Sequence, residues 1–336
     1  MKERVTWPKG AKCAFNLGFD LDGETIWRNK ARKLPGGEGF LKGPSIGAYG
    51  PKKGAARILE VLKEFELKAT WFIPAVMIEE HQEIVEKILA EGHEIAHHGL
   101  DHTGRYGASL NEQQEYIGKC QETFLNYTGR LACGIRPTGA LLPETEKWLY
   151  REGGFRYSSA GTSGEGDGYY CVDGERTEGI NVPCRDEQMD DYVQTVFHNY
   201  PAVLEGMPRI AAYDVVYDNW IREVCGMAKA GNCGSSAFHP QIAGTPGRAV
   251  MLEKFCAYLA KNQEVWCATC LEIADYCRKN LPGGGAAAQG KDVPEGGAAA
   301  QGKDVPGGGA AAQGKDVPEG GAAAQGGDMP AEGRKA

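Results

Sequence analysis

Along residues 1 to about 281, hydrophobic and polar positions switch repeatedly between a strand-like period and a helix-like one. Cys13 to Phe19 is an apolar run that ends in acids, which predicts a strand. Ala55 to Phe65 places Ile58, Leu62 and Phe65 on one face beside Val61, which predicts a helix. Ala69 to Ile73 reads as a strand closed by Pro74, and Ile84, Val85, Ile88 and Leu89 mark a helix ended by Gly92. The alternation continues with a short strand from His93 to Ala96, a helix from Glu112 to Tyr127 and a strand from Leu131 to Arg136. Next come a helix from Glu144 to Glu152, a strand from Phe155 to Ser158 and a helical stripe through Met251, Leu252, Phe255, Tyr258 and Leu259. A strand from Val265 to Ala268 and a helix from Leu271 to Leu281 close the series. Such alternation predicts an α/β fold with a parallel sheet, open or closed into a barrel.

Two segments break the pattern. Residues 23–51 carry many Gly, Lys and Pro and little periodicity, so they read as a long loop, either a lid or binding loop or a plain surface insertion. From Gly283 a block GGAAAQGKDVP recurs and places Gln289, Gln301, Gln313 and Gln325 at equal intervals. With almost no large apolar residues it cannot offset chain entropy by burial, so residues 283–336 are expected to be a disordered, low-complexity tail. The domain reading is therefore one catalytic domain over 1–282 followed by that tail.

Composition narrows the class. Of 336 residues, 42% are hydrophobic and 24% charged, enough to build a real core, and the formal net charge of -8 shows no basic footprint for nucleic acid. No run of 18 apolar residues exists, so no membrane span is expected. Met1 to Phe15 has no apolar signal region, which leads to the expectation of a cytoplasmic protein with reduced thiols. Eleven cysteines include a single C-x-x-C, Cys267 to Cys270, read as small buried hydrophobes rather than a redox or metal pair.

Chemistry-bearing residues gather in three places. The window GHEIAHHGLDH holds His93, His97, His98 and His102, and the spacing of four between His98 and His102 would put both imidazoles on one face of a helical turn, able to grip one metal. Two exposed histidines would give the same spacing. At the end of the first strand, Asp20 and Asp22 are two apart and would point to one side, at the strand end where active sites of parallel α/β folds gather. Two solvated acids at a turn are the plain alternative. His239, in Phe238-His239-Pro240, follows a Gly-Ser run. Two histidines with one carboxylate also form the ligand set of non-heme iron oxygenases.

Taken in order, these motifs resemble the polysaccharide deacetylase family, the NodB homology domain, over about residues 10 to 280. The chain looks closest to the branch whose first motif is D-x-D, which includes intracellular peptidoglycan-deacetylase-like proteins and cyclic-imide hydrolases, with allantoinase-like members as neighbours. The resemblance implies a distorted, incomplete (β/α) barrel. It also implies roles: Asp20 as catalytic base, Asp22, His98 and His102 as metal ligands, Arg136 in GIRP as the residue that orients the base, and His239 as general acid. Asp190 and Asp191, in MDDY after Asn181-Val182-Pro183, fall where the branch has a supporting acidic pair. The ending QIAGTPGR and then VWCATCLEIADY also looks like the family's. Thr138 and Gly139 stand where the family has a proline and aromatics, and the stretch Cys184 to Tyr192 lacks the family's tryptophan, which puts substrate in doubt more than chemistry.

The implied activity is metal-dependent hydrolysis of a non-peptide carbon–nitrogen bond, with zinc the default ion and cobalt, nickel or iron fitting the same ligands. The expected substrate is an N-acetylated amino sugar or related carbohydrate, and the alternative is a small cyclic imide or ureide in the cytosol. A catalytically silent carbohydrate-binding protein should have lost one of Asp20, Asp22, His98, His102 or His239, and all five are present. Relatives in the branch tend to form homo-oligomers. No nucleic-acid or membrane partner is expected.

Overall fold

A computed structural model describes residues 5–37, 42–160, 168–184, 186–195 and 211–281 of the chain. The tail, with its expected disorder and its domain boundary at 282/283, lies outside the described residues.

The first half runs β1 (Cys13–Asp20), α1 (Thr25–Ala31), α2 (Lys42–Tyr49), a π-turn at Gly50–Gly54, α3 (Ala55–Glu64), β2 (Ala69–Ile73), α4 (Ala75–Glu80), α5 (Gln82–Ala90), β3 (Glu94–His97), α6 (Leu110–Thr128) and β4 (Gly134–Ile135). Then follow α7 (Pro143–Arg151), β5 (Tyr157–Ser158), β6 (Tyr169–Val172), β7 (Glu175–Asn181), α8 (Asp186–Met189) and α9 (Asp191–Thr195). The chain closes with α10 (Tyr213–Ala230), β8 (Cys233–Ser235), α11 (Pro240–Ala243), α12 (Pro246–Lys261), β9 (Val265–Cys267) and α13 (Cys270–Asn280). Among the described residues the strands lie in the order β6-β7-β5-β4-β3-β2-β1-β8, with β9 also on β1. All pair in parallel except the β6–β7 hairpin. The sheet curls into the incomplete (β/α) barrel that the motifs imply.

Strand parity sorts side chains between the two faces. Cys13, Phe15, Leu17 and Phe19 of β1 join the main core under α3, α10 and α12, with Ile58, Leu62, Trp220 and Phe255. The intervening Ala14, Asn16, Gly18 and Asp20 face the barrel interior. Residues 13–15 pair with β9 and 17–20 with β2. Asn16 falls between these pairings, where its Nδ2 donates to Thr70 Oγ1 and to the Ala268 carbonyl, each at 3.0 Å. Gly18 leaves room for Arg136, since a Cβ there would sit 2.8 Å from Arg136 Nη2 and 2.3 Å from the Ser236 carbonyl oxygen.

Three sequence expectations change. The 23–51 segment is not a plain loop, for it contains α1 and α2. The glycines that blurred its periodicity are needed for backbone-on-backbone packing: a Cβ on Gly47 would meet the Gly23 carbonyl oxygen at 2.3 Å, and one on Gly37 the Ala31 carbonyl oxygen at 1.9 Å. His98 and His102 do not sit on a helical turn. They lie in the loop after β3, and His102 adopts the left-handed region at φ 60° between glycines that do the same, Gly99 and Gly104. Finally, β1 ends at Asp20, so Asp22 lies past the strand, where Thr25 donates to its carbonyl from both N–H (3.1 Å) and Oγ1 (2.7 Å).

Among the described residues no helix is long and apolar enough to cross a membrane. All eleven cysteines are free thiols; Cys270 is buried, and burial pushes the Cys267 thiol up to about 12, in line with an inert structural role.

Candidate active site

The C-terminal ends of β1, β3, β4 and the segment after β8 converge on one buried polar cluster. Asp22 is fully buried. Its Oδ1 lies 3.4 Å from His98 Nε2 and 3.5 Å from His102 Nε2, and its Oδ2 lies 3.5 Å from His239 Nε2. One donor atom from each of Asp22, His98 and His102 falls within 4.8 Å of the others. Neither carboxylate oxygen of Asp22, nor His98 Nε2, has a hydrogen-bond partner of normal geometry. Buried polar atoms normally find partners, so three unpartnered ones turned toward a common point fit a cation.

Parity separates the two adjacent histidines. His97 faces outward, stacked on Phe124 with ring centroids 6.2 Å apart and edge-on to Phe155 at 5.8 Å. Its Nδ1 accepts the Gly99 N–H, and burial, with the nearby His98, pushes the imidazole down to about 3, so it is a neutral core residue. His93 is similar: its Nδ1 accepts the Ala69 N–H, and burial lowers it to about 4. His98 faces inward. Its Nδ1 donates to the Arg136 carbonyl at 2.7 Å, which leaves the Nε2 lone pair toward Asp22. Burial pushes the Asp22 carboxyl up, but His102, His98 and His239 outweigh it and hold the group below the usual carboxylate range.

Asp20 pairs with Arg136 through Oδ1, while its Oδ2 lies 3.8 Å from His98 Nε2. The guanidinium is held in turn. Its Nη2 donates to Ser159 Oγ (3.0 Å), Ser235 Oγ (2.8 Å) and the Ser236 carbonyl (3.0 Å), and its Cζ lies 3.8 Å from the Phe72 ring centre. On the far side His239 Nδ1 donates to Asp191 Oδ1 at 2.7 Å, its backbone N–H donates to Asp191 Oδ2 at 2.9 Å, and Asp190 Oδ1 lies 3.8 Å away. Burial pushes the His239 imidazole down, but Asp191, Asp190 and Asp22 outweigh it and lift it to about 10.

All eight residues singled out from the sequence, Asp20, Asp22, His98, His102, Arg136, Asp190, Asp191 and His239, thus meet in one place. Sequence reading missed Ser159, Ser235 and Ser236, which seat Arg136, and Tyr192, whose ring lies edge-on to His239 at 4.4 Å. The Gly-Ser run before His239 was visible, but a single hydroxyl carries no periodic signal.

Residues 48–158 match the family model described as polysaccharide deacetylase. Over that stretch the chain is similar to polysaccharide deacetylases. With the similarity comes the enzyme class, hydrolases of carbon–nitrogen bonds other than peptide bonds. A peptidoglycan deacetylase of Helicobacter pylori is 24% identical over 296 residues, which cover 79% of this chain and 96% of that protein. A Mycobacterium smegmatis crystal structure named for polysaccharide deacetylase superposes with a TM-score of 0.73 and 28% identity, over 83% of this chain and 95% of the other. Puue allantoinase shares the fold, with a TM-score of 0.66, 20% identity and coverage of 84% and 95%. The matched stretch spans β2 to β5 and includes His98, His102 and Arg136, while Asp20 and Asp22 come before it, at the end of β1 and just past it.

Proposed function

We propose that the chain is a metal-dependent hydrolase that removes the acetyl group from an N-acetylated amino sugar. The observation that carries this reading is the Asp22–His98–His102 cluster, in which the ligand atoms of Asp22 and His98 are buried and unpartnered, flanked by Asp20 on Arg136 and by His239 on Asp191. A divalent cation held by Asp22, His98 and His102 supplies Lewis acidity toward water and the amide carbonyl, with zinc the expected ion. The chain's own groups supply the proton transfers. Asp20 takes the proton from the attacking water through Oδ2, while Arg136 fixes Oδ1 and keeps the carboxylate oriented. His239 carries its proton at neutral pH and donates it from Nε2 to the leaving nitrogen, with Asp191 fixing Nδ1. Asp190 lies beside the same imidazole, its carboxyl pushed up to about 7 by burial.

A second reading is favoured by a particular feature. Trp27 of α1, fully buried, packs with Tyr192 and Ile242 beside His239, and α2 packs on the chain just past Asp22, so the 23–51 segment is a wall next to the cluster. A small cyclic imide or ureide suits a walled site, and the same water activation opens it.

The test is hydrolysis by the full chain of an N-acetylglucosamine oligomer and of succinimide, side by side, before and after chelation. Chelator-sensitive acetate release supports the deacetylase reading. Chelator-sensitive imide opening without acetate release moves the enzyme to the second. Turnover that survives metal stripping contradicts both.

A further inference from the structure

His102 reaches the cluster from a backbone conformation that a residue with a side chain rarely adopts, so something outside the loop must hold it there. Three consecutive carbonyls lead up to it, and each accepts a hydrogen bond from elsewhere in the chain. The first helical N–H groups of α4 donate to the first two, Ala75 N–H to Gly99 O and Val76 N–H to Leu100 O, each at 3.0 Å. The third, Asp101 O, belongs to the peptide that joins Asp101 to His102. It accepts from the Asn29 side-chain amide of α1 at 2.7 Å. That helix is itself clamped to the far end of α4, where Arg28 donates to both carboxylate oxygens of Glu80. The Asp101 side chain is committed to its own turn, accepting from Thr103 N–H (3.1 Å) and Thr103 Oγ1 (2.7 Å).

The geometry points to Asn29 as a positioning residue for the metal site: by donating to the Asp101–His102 peptide, it makes the 23–51 segment part of the scaffold that aims His102 at Asp22. The inference rests on the metal-site reading above. It departs from the view of this segment as a lid or a surface insertion, because a lid that lifted would release His102. Partners one bond removed from a ligand commonly change metal affinity by tenfold or more, which sets the size of the expected effect.

The experiment is zinc binding to the metal-stripped full chain, measured by competition with a chromophoric chelator, for wild type, Asn29→Ala, Asn29→Asp and Arg28→Gln. Asn29→Asp keeps the size and removes the donor. Both Asn29 variants are expected to bind zinc about tenfold more weakly. Arg28→Gln, which loosens α1 without touching the Asp101 bond, is expected to stay within about twofold of wild type, because an exposed ion pair is worth little. Wild-type affinity in both Asn29 variants overturns the inference and leaves the metal site standing. An equal loss in Arg28→Gln overturns it too, since docking of α1 as a whole would then be the cause. If wild type binds no zinc at all, the metal-site reading fails first and this inference falls with it.

Discussion

At the floor of the barrel, Glu94 opens β3 and receives a hydrogen bond from Tyr157 OH at 2.7 Å, another from Thr70 Oγ1 at 2.8 Å and a third from the Leu271 N–H at 3.0 Å. Asn16 beside it is likewise engaged, donating through Nδ2 and accepting from Ser235 Oγ at 2.9 Å. At the mouth, one or two turns of the pleat further along the same strands, Asp22 receives no hydrogen bond on either oxygen and His98 Nε2 makes none. Both ends bury polar groups: the floor draws Asn16 and Glu94 from the inward positions of β1 and β3, and the mouth draws Asp22 and His98 from the residues just past those strands. The floor satisfies its polarity from within and so ties strands to helix α13. The mouth leaves its polarity unspent, which costs stability unless a ligand takes it up. Burial of a polar side chain therefore says little about function in this molecule; what marks the mouth is that unpartnered atoms of Asp22 and His98 lie within 3.4 Å of each other, with His102 beside them.

Substitutions at the two ends should break along that line. The largest effect is expected from Asp20→Asn at the mouth, which keeps the shape and removes the base: turnover should fall by about 10²–10⁴ while bound metal is retained. Turnover and metal content measured on the same preparation check this, and loss of metal together with rate would show that Asp20 serves as a ligand instead.

At the floor, Glu94→Gln should act on stability and not on turnover. Burial pushes the Glu94 carboxyl up to about 7 from an ordinary 4.5, against the hydrogen bonds from Tyr157, Leu271 and Thr70. The folded state thus binds the proton more tightly than the unfolded chain. The contribution is fully present below about pH 4.5 and is lost as pH rises through about 7. Between pH 5 and pH 8 the stability difference between variant and wild type should move by about 1–3 kcal/mol in favour of the uncharged glutamine. Urea unfolding at both pH values measures it, and a constant difference would mean that Glu94 titrates normally. The smallest effect is expected from Ser235→Ala, which takes one of several acceptors from Arg136 and a donor from Asn16. It should cost about 0.5–1.5 kcal/mol of stability and lower turnover several-fold.

How much of this was legible beforehand follows from the same contrast. The strand β2 and the helices α3, α5 and α13 lie within a residue or two of their predicted bounds because their apolar spacing is regular. The helix α10 went unread although Val216, Trp220, Val224 and Met227 form a helical stripe, all buried. The eight site residues were found through the order of their motifs, not through periodicity. Their local geometry was misjudged where glycines intervene: four-residue spacing suggested a helix for His98 and His102, whereas Gly99 and Gly104 permit a loop with left-handed turns. The residues that hold the site in place, Ser159, Ser235, Ser236, Asn29 and Tyr192, were invisible because each is a lone polar or aromatic side chain whose partner is distant in sequence. Glu94 was passed over for the same reason, although parity with His98, four residues on, puts both on the inner face.

A metal ion is the expected owner of the unspent polarity of the mouth. The direct measurement is calorimetric titration of zinc into the metal-stripped full chain, beside Asp22→Asn and His98→Ala. One zinc per wild-type chain, weakened by orders of magnitude or lost in both variants, is the expected result. Equal binding by all three proteins, or none by wild type, would contradict it.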